Sequence, residues 1–270
     1  MAKGKRKELT PANVYARIRP FDASGKSGHT AEGEHDKHKE LEKWDERTVT
    51  INDHDLRKSV PHELTQVIPP EADQAGAFQT ALVDSGLLAG FKTDSNVLFY
   101  AYGQTGSGKT HTMLGVPDSL SSAEPNEGWG LFPRVVHDTL ASMKAWEADG
   151  VRAILTCAAV EFYCMGAFDL DSKPKAPVTI TREAQAFGAK ATRLTCPSEL
   201  GEYLPRVFSN RYTAKTKMND ASSRSHCALI LTLHQVDADD KYKWTVRERA
   251  RARAAAAAAA ALKRSRLMGG

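Results

Sequence analysis

The sequence predicts an α/β layered domain, in which helices flank a central mixed sheet. Two apolar runs of strand length, residues 96–102 and 227–236, are separated by segments with helical apolar spacing. The first run leads directly into a glycine-rich stretch. The composition, with 41% hydrophobic and 26% charged residues, is that of a globular protein and excludes collagen-like and wholly disordered chains. At 270 residues, the chain can form one large domain or two small ones.

The N-terminal part predicts a strand followed by a charged insertion. Residues 13–20 alternate in polarity up to a proline, which predicts a strand that ends at Pro20. Residues 22–46 are rich in Lys, Glu, Gly and His and have little to bury, so we expect a loop. The histidines of this insertion are not accompanied by cysteines, and we expect no metal site at His29, His35 or His38.

The remaining elements follow from apolar spacing. Residues 48–51 predict a short strand, and the spacing of Phe78, Leu82 and Leu88 predicts a helix. The 96–102 run is rich in aromatic and aliphatic residues, which predicts a strand buried on both faces. Beyond it we expect a helix at 131–143, strands at 151–163, 179–180, 191–195 and 227–236, a helix capped by Ser198 that runs to 208, and a polar loop at 215–225.

The net charge of +4 is distributed unevenly along the chain. Residues 241–270 contain nine lysines and arginines against one glutamate, a balance of +8, which leaves −4 for residues 1–240. We therefore divide the chain into a basic extension at 1–12, a domain at 13–245 and a basic Ala/Arg-rich tail at 246–270. The tail could meet nucleic acid, an anionic membrane or an acidic protein surface, or it could be solvated without a partner.

Compartment signals are few. No apolar run reaches the roughly 20 residues of a membrane-spanning helix, and the basic start has no apolar segment behind it, so we expect neither a span nor a secretory signal. The cysteines Cys157, Cys164, Cys196 and Cys227 show no C-x-x-C spacing. We therefore expect buried thiols in a reducing compartment.

The stretch from Gly103 to Thr110 matches the phosphate-loop pattern G-x-x-x-x-G-K-[ST]. Glycines allow the backbone N–H groups to surround phosphate at the start of a helix. Lys109 is expected to reach the β- and γ-phosphates, and the hydroxyl of Thr110 to bind Mg²⁺. With a buried strand before the loop and a helix after it, the sequence predicts a P-loop NTPase-type domain that binds ATP and Mg²⁺.

Three motifs together resemble the motor domain of kinesins. They are Arg17-x-Arg19-Pro20, A-Y-G-Q-T-G-S-G-K-T-H-T-M at residues 101–113, and M-N-x-x-S-S-R-S-H at residues 218–226. The third motif is the most specific. The resemblance covers about residues 12–236 apart from the charged insertion, so 13–245 is expected to be a partial kinesin-like motor domain.

The resemblance implies roles for individual residues. Arg17, Arg19 and Pro20 would frame the adenine, with His111 against the base. A first switch would bring serines close to the γ-phosphate and Mg²⁺, with Ser223 joining Thr110 at the metal. The implied nucleotide-binding set is Arg17, Arg19, Pro20, Gly103, Gln104, Thr105, Gly106, Ser107, Gly108, Lys109, Thr110, His111, Asn219, Ser222 and Ser223, and the implied catalytic set is Lys109, Thr110, Ser223 and Arg224.

One part of the kinesin pattern is missing from these residues. The family's second switch reads D-x-x-G-x-E, and the only D-x-x-G matches, at Asp22 and Asp73, precede the phosphate loop and lack the Glu. We therefore expect a C-terminally incomplete domain with impaired hydrolysis. The family's sheet places the strand before the phosphate loop between two later strands, so backbone groups at 96–102 would lack partners, at about 1–3 kcal/mol for each unsatisfied group.

Three functional hypotheses remain. The first is an ATP-binding, kinesin-like motor domain for microtubule-based movement, with tubulin binding weakened by the missing part, located in the cytoplasm on the cytoskeleton. The second is a nucleotide-binding module without turnover that acts through a partner. The third, a P-loop kinase of a small metabolite, agrees with the phosphate loop but not with the other two motifs. Neither a membrane nor a nucleic acid is expected as a partner.

Overall fold

The computed structural model describes residues 12–20, 41–53, 57–93, 95–104, 106–163, 166–181, 186–211 and 225–237. The chain divides into two compact units, Met1–His137 and Asp138–Gly270, and each is described by itself. The described residues form both β-sheets and helices, which confirms the α/β class.

Five strands lie in the first unit. β1 (Tyr15–Arg17) pairs in parallel with β5 (Gln66–Ile68). β2 (Leu41–Trp44), β3 (Thr48–Asp53) and β4 (Lys58–Glu63) form an antiparallel sheet in that order. The strand predicted at 48–51 is therefore confirmed, whereas the one predicted at 13–20 is present but ends at Arg17 and not at Pro20.

The predicted charged insertion at 22–46 requires a correction at its end. Residues 41–44 are not loop but β2, because the sheet with β3 supplies backbone hydrogen bonds that local composition does not reveal. Asp45 then turns the chain, since its carboxylate accepts hydrogen bonds from the backbone N–H groups of Arg47 and Thr48. The histidines His29, His35 and His38 lie outside the described residues.

The helical segment predicted around Phe78 consists of three pieces. They are α1 (Gln74–Phe78), a π-helical turn (Gln79–Val83) and α2 (Leu87–Lys92). Asp73 caps α1 by accepting a 2.6 Å hydrogen bond from the N–H of Gly76. Their apolar faces form a buried cluster that also includes one residue of β5 and Leu131: Ile68, Ala77, Ala81, Leu82, Leu88 and Leu131.

The prediction for residues 96–102 is wrong in its burial. The segment is extended, yet it pairs with no strand among the described residues. Leu98, Tyr100 and Tyr102 are 89%, 63% and 91% exposed, whereas Phe99 packs against the buried cluster. A strand buried on both faces needs neighbours on both edges, and the described chain provides neither.

Three helical segments come next in the described chain after the glycine-rich loop. α3 (Lys109–Met113) begins directly after Gly108, and a short 3-10 helix (Pro117–Ser121) comes next. α4 (Leu131–Ala148) begins where the apolar stripe at 131–143 predicted a helix.

The second unit contains a sheet built on one long strand. β6 (Val151–Tyr163) pairs antiparallel with β7 (Gly166–Asp169), β10 (Thr192–Leu194) and β11 (Ser225–Asp237). β8 (Thr179–Ile180) and β9 (Ala186–Phe187) form a separate pair. All four strands predicted in this part of the chain are present.

The predicted cap at Ser198 is a second correction. Ser198 lies inside a 3-10 helix (Pro197–Glu199) that precedes α5 (Leu200–Phe208). Its hydroxyl lies 3.1 Å from the thiol of Cys196. Pro197 is the first residue of this 3-10 helix, where its ring holds the backbone φ angle at a helical value. No side chain caps the start of the helix. Within the described residues, no helix is long and apolar enough to cross a bilayer.

Candidate nucleotide-binding site

The glycine-rich loop has the backbone conformation that phosphate loops require. Gly106 and Gly108 have φ angles of 80° and 90°, in the left-handed region that side chains other than glycine rarely adopt. The chain then enters α3 with Lys109 as its first residue. The glycines therefore set the curvature that places the loop around the side chain of Lys109.

Lys109 directs its ammonium group into this loop. Its Nζ donates hydrogen bonds to the carbonyl oxygens of Gly103, at 2.8 Å, and Gln104, at 2.7 Å. An ammonium group has three protons and can exchange such partners for other oxygens without changing position. The cradle and the cation inside it fit a triphosphate.

Arg17 of β1 lies beside α3 in a network of polar side chains. Its Nη1 donates to Oε1 of Gln74, at 2.7 Å, and to the hydroxyl of Thr112, at 3.2 Å. Burial lowers the pKa of Arg17, and the nearby Asp73 carboxylate partly offsets that effect. The group remains a cation at any physiological pH, and its direction is set by these partners.

Arg19 contacts the phosphate loop directly. Its Nη1 donates a 3.0 Å hydrogen bond to the carbonyl oxygen of Gly106. Pro20, the next residue, and His111, on α3, are both exposed. The structure therefore brings Arg17 to α3 and Arg19 to the glycine-rich loop that precedes it.

One apolar cluster contacts the strand that carries Arg17, the segment before the loop and the helix that begins with Lys109. The buried cluster that includes Leu82 and Leu131 contacts three residues of this region: Tyr15 of β1, Phe99 of the extended segment and Met113 of α3. The strand with the arginines and the helix with Lys109 consequently rest on the same core. A change in that core would move both sides of the site.

The second unit contains a buried charge cluster that includes Arg211 and contacts Ser225. Glu161 is fully buried, and its carboxylate lies 2.6 Å from Nζ of Lys175 and 3.8 Å from Nε of Arg211. Arg211 also donates to the backbone carbonyl and to the hydroxyl of Ser225, at 3.0 and 2.9 Å. The cluster thus joins β6 to the start of β11.

Several predicted site residues cannot be placed. Thr105, Asn219, Ser222, Ser223 and Arg224 lie outside the described residues. Of the predicted metal pair, only Thr110, on α3, is described. The described part of the chain contains no cluster of three or more His, Cys, Asp or Glu side chains arranged to hold a metal ion.

The expectation of buried thiols holds for one of the three described cysteines. Cys157 is buried, whereas Cys196 and Cys227 are half-buried, because they lie at less covered positions of the second unit. Burial raises the pKa of Cys157 to about 12 and that of Cys227 to about 11. Cys164 lies outside the described residues.

Sequence reasoning missed Gln74, Asp73 and Thr112 as members of the site. Gln74 is 4% exposed, although a glutamine at the first position of a helix carries no sequence signal of burial. Thr112 belongs to the T-H-T-M part of the second motif, which could have drawn attention to it. Only the folded chain reveals that Arg17 donates to both residues.

Comparison with known proteins identifies what this arrangement is similar to. The family model of the kinesin motor domain matches residues 17–253. The kinesin-like protein klpA of Emericella nidulans is 33% identical over 241 residues, which is 82% of this chain and 28% of that protein. Carboxy-terminal kinesin 2 of Xenopus laevis is 31% identical over 177 residues, which is 62% of this chain and 26% of the relative.

A solved structure agrees with this fold. A chain described as a fast kinesin superposes with a TM-score of 0.65 and 23% identity, covering 85% of this chain and 61% of the other. This likeness confirms the P-loop NTPase fold. The chain spans about a quarter of the length of the two curated relatives described above.

Proposed function

Because this chain belongs to the kinesin motor-domain family, we propose that it is an ATP-binding motor domain for microtubule-based movement. The observation that carries the proposal is the phosphate loop, in which the ammonium of Lys109 lies within a glycine cradle while Arg19 contacts the same loop. The proposed nucleotide-binding set is the one that the kinesin resemblance implies: residues 17, 19, 20 and 103–111, Asn219, Ser222 and Ser223.

We assign a different contact with the nucleotide, or with the loop itself, to each of these residues. The ammonium of Lys109 exchanges the carbonyl oxygens of Gly103 and Gln104 for phosphate oxygens, which are better acceptors because they are charged. Arg19 holds the carbonyl of Gly106, so that the loop keeps its curvature. Arg17 and Pro20 face the base, and His111 packs against it.

Binding is tested by titrating the purified chain with a fluorescent ATP analogue in Mg²⁺. Lys109→Ala removes the ammonium and should weaken binding by about 100-fold, because a charge-assisted hydrogen bond contributes about 1.5–3 kcal/mol. Lys144→Ala, on an exposed position of α4, is the matched control and should bind as the unaltered chain does. Equal binding by all three proteins would refute the phosphate-loop assignment.

We further propose that the 270-residue polypeptide hydrolyses ATP slowly. Thr110 and Ser223 would hold Mg²⁺, which would offset the negative charge of the triphosphate. Transfer also needs an acidic group near the metal and a group that orients water, which the family's D-x-x-G-x-E sequence supplies. Residues 1–270 contain no such sequence. In family members, an acidic residue of that sequence pairs with the arginine that corresponds to Arg224.

Microtubules are the proposed partner, and the proposed location is the cytoskeleton in the cytoplasm. The support comes from family membership and from the fast kinesin, which is described as interacting with microtubules. Because the family's main microtubule-binding helices follow the second switch, we propose that this polypeptide binds microtubules more weakly than a complete motor domain does. Co-sedimentation with and without nucleotide measures this affinity.

A nucleotide-binding module without turnover is the second candidate function. The observation that favours it is the extended segment 96–102, in which Leu98, Tyr100 and Tyr102 are exposed just before the phosphate loop. Phosphate release with and without microtubules distinguishes the two functions. Microtubule-stimulated turnover by this polypeptide would identify a working motor, whereas nucleotide binding with no turnover would identify the module.

A further inference from the structure

Gln74 connects the two sides of the nucleotide site. It is the first residue of α1 and is 4% exposed, although glutamine is usually an exposed residue. Its Oε1 accepts a 2.7 Å hydrogen bond from Arg17, and its Nε2 donates a 2.7 Å hydrogen bond to the backbone carbonyl of His111. One buried amide thus bridges β1 and α3.

The chemistry of the partners fixes the orientation of this amide. A guanidinium group only donates hydrogen bonds, so the oxygen of Gln74 must face Arg17. A carbonyl only accepts, so the nitrogen must face His111. Of the other uncharged side chains, only asparagine offers a carboxamide that could serve both partners, and it is shorter by one methylene. The position therefore requires an amide of this length.

The bond to His111 completes the end of α3. In a longer helix, the carbonyl of His111 would accept from the N–H of Gly115, but that N–H donates to Thr110 instead. The amide of Gln74 satisfies the carbonyl. Because α3 begins with Lys109, the amide also anchors the helix that carries the phosphate-binding lysine.

We propose that Gln74 is a positioning residue that aims Arg17 at the adenine and couples this base contact to the phosphate-loop helix. The inference rests on the proposed ATP binding. It extends that function by assigning base recognition to a residue outside all three sequence motifs. Thr112 also accepts a hydrogen bond from Arg17, but at 3.2 Å this bond is longer and weaker than the one to Gln74.

The test separates base recognition from phosphate binding. Dissociation constants of ATP and of inorganic tripolyphosphate, both with Mg²⁺, are measured by calorimetry for the whole 270-residue chain. The ratio of the tripolyphosphate constant to the ATP constant reports the contribution of the nucleoside. Loss of general stability would not change that ratio in a protein that remains folded.

Two substitutions at Gln74 separate its two hydrogen bonds. Gln74→Leu removes both, and we expect tripolyphosphate to bind about threefold more weakly and the ratio to fall about tenfold. Gln74→Glu keeps the acceptor for Arg17 but cannot donate to His111 when ionised. It should weaken both ligands about threefold and preserve the ratio, which is a rescue of base recognition.

Matched variants keep the proposal falsifiable. Gln79→Leu alters an exposed glutamine in the next turn and should leave both constants unchanged. Should Gln74→Leu fail to fold, Thr112→Val removes the weaker acceptor without touching Gln74 and should lower the ratio about threefold. In an Arg17→Ala background, Thr112→Val should have no further effect on the ratio.

The outcomes distinguish this inference from the proposed function. If the unaltered chain binds neither ligand, the proposed ATP binding is wrong. If it binds both and folded Gln74→Leu keeps the ratio of the unaltered chain, the positioning role is wrong while ATP binding stands. An unchanged ratio in folded Thr112→Val would likewise contradict the role given to the acceptors of Arg17.

Discussion

At the scale of single residues, the charged pair in the second unit makes a direct stability prediction. Lys175→Met should destabilise the chain by about 3–5 kcal/mol, because it removes the closest cation from the fully buried carboxylate of Glu161. The double variant Glu161→Leu with Lys175→Met should lose less, since no fully buried carboxylate is then left without its closest cation. Urea unfolding measures both, and equal losses would contradict the argument.

The thiol of Cys157 predicts how stability depends on pH. Burial raises its pKa to about 12 in the folded chain from an unfolded value near 9. The unfolded chain therefore releases its proton first, and stability should fall as pH rises above about 9, by up to about 1.4 kcal/mol per pH unit. Cys157→Ala should reduce this slope in urea titrations at pH 8, 9 and 10. A slope equal to that of the unaltered chain would contradict the assignment to Cys157.

At the scale of elements, the extended segment 96–102 makes a prediction that opposes its sequence pattern. Leu98→Ala should change stability by less than about 0.5 kcal/mol, since Leu98 is 89% exposed. Phe99→Ala should cost about 2–3 kcal/mol, because Phe99 packs against the buried cluster of the first unit. A pair of thermal or urea unfolding curves tests this. Comparable losses would mean that both faces are buried.

The burial of residues 96–102 was mispredicted because a local sequence pattern does not show which strands lie next to them. A dense apolar run predicts burial because such residues are usually covered by neighbouring elements. Coverage is a property of the partner strands, and no described strand pairs with residues 96–102. Residues 41–44 are the opposite case. Their composition favours a loop, but pairing with β3 makes them a strand.

At the scale of the whole molecule, the uneven charge predicts how the chain meets an acidic surface. Residues 241–270 carry a balance of +8, whereas residues 1–240 carry −4. We expect a 1–245 variant to bind microtubules more weakly than the full chain at low salt, with a smaller loss of binding as salt rises. Co-sedimentation at about 25–200 mM salt, below and above physiological ionic strength, measures both. Equal salt dependence would show that the tail is not involved.

The sequence by itself determined the family, the α/β class and the position of the phosphate loop. These follow from short contiguous motifs such as residues 103–110, in which local backbone geometry and side-chain type set the chemistry. Arg17 and Arg19 were also found in this way, because they belong to a motif of adjacent residues.

Only the tertiary structure decided which residues hold these groups in place. Gln74 precedes Thr112 by 38 positions in sequence, yet Arg17 donates to both, and no periodicity records such a contact. Exposure of Leu98 and burial of Phe99 likewise depend on which elements lie next to the strand. Local sequence specifies conformation and chemistry, whereas burial and long-range hydrogen bonds depend on partners that are distant in the chain.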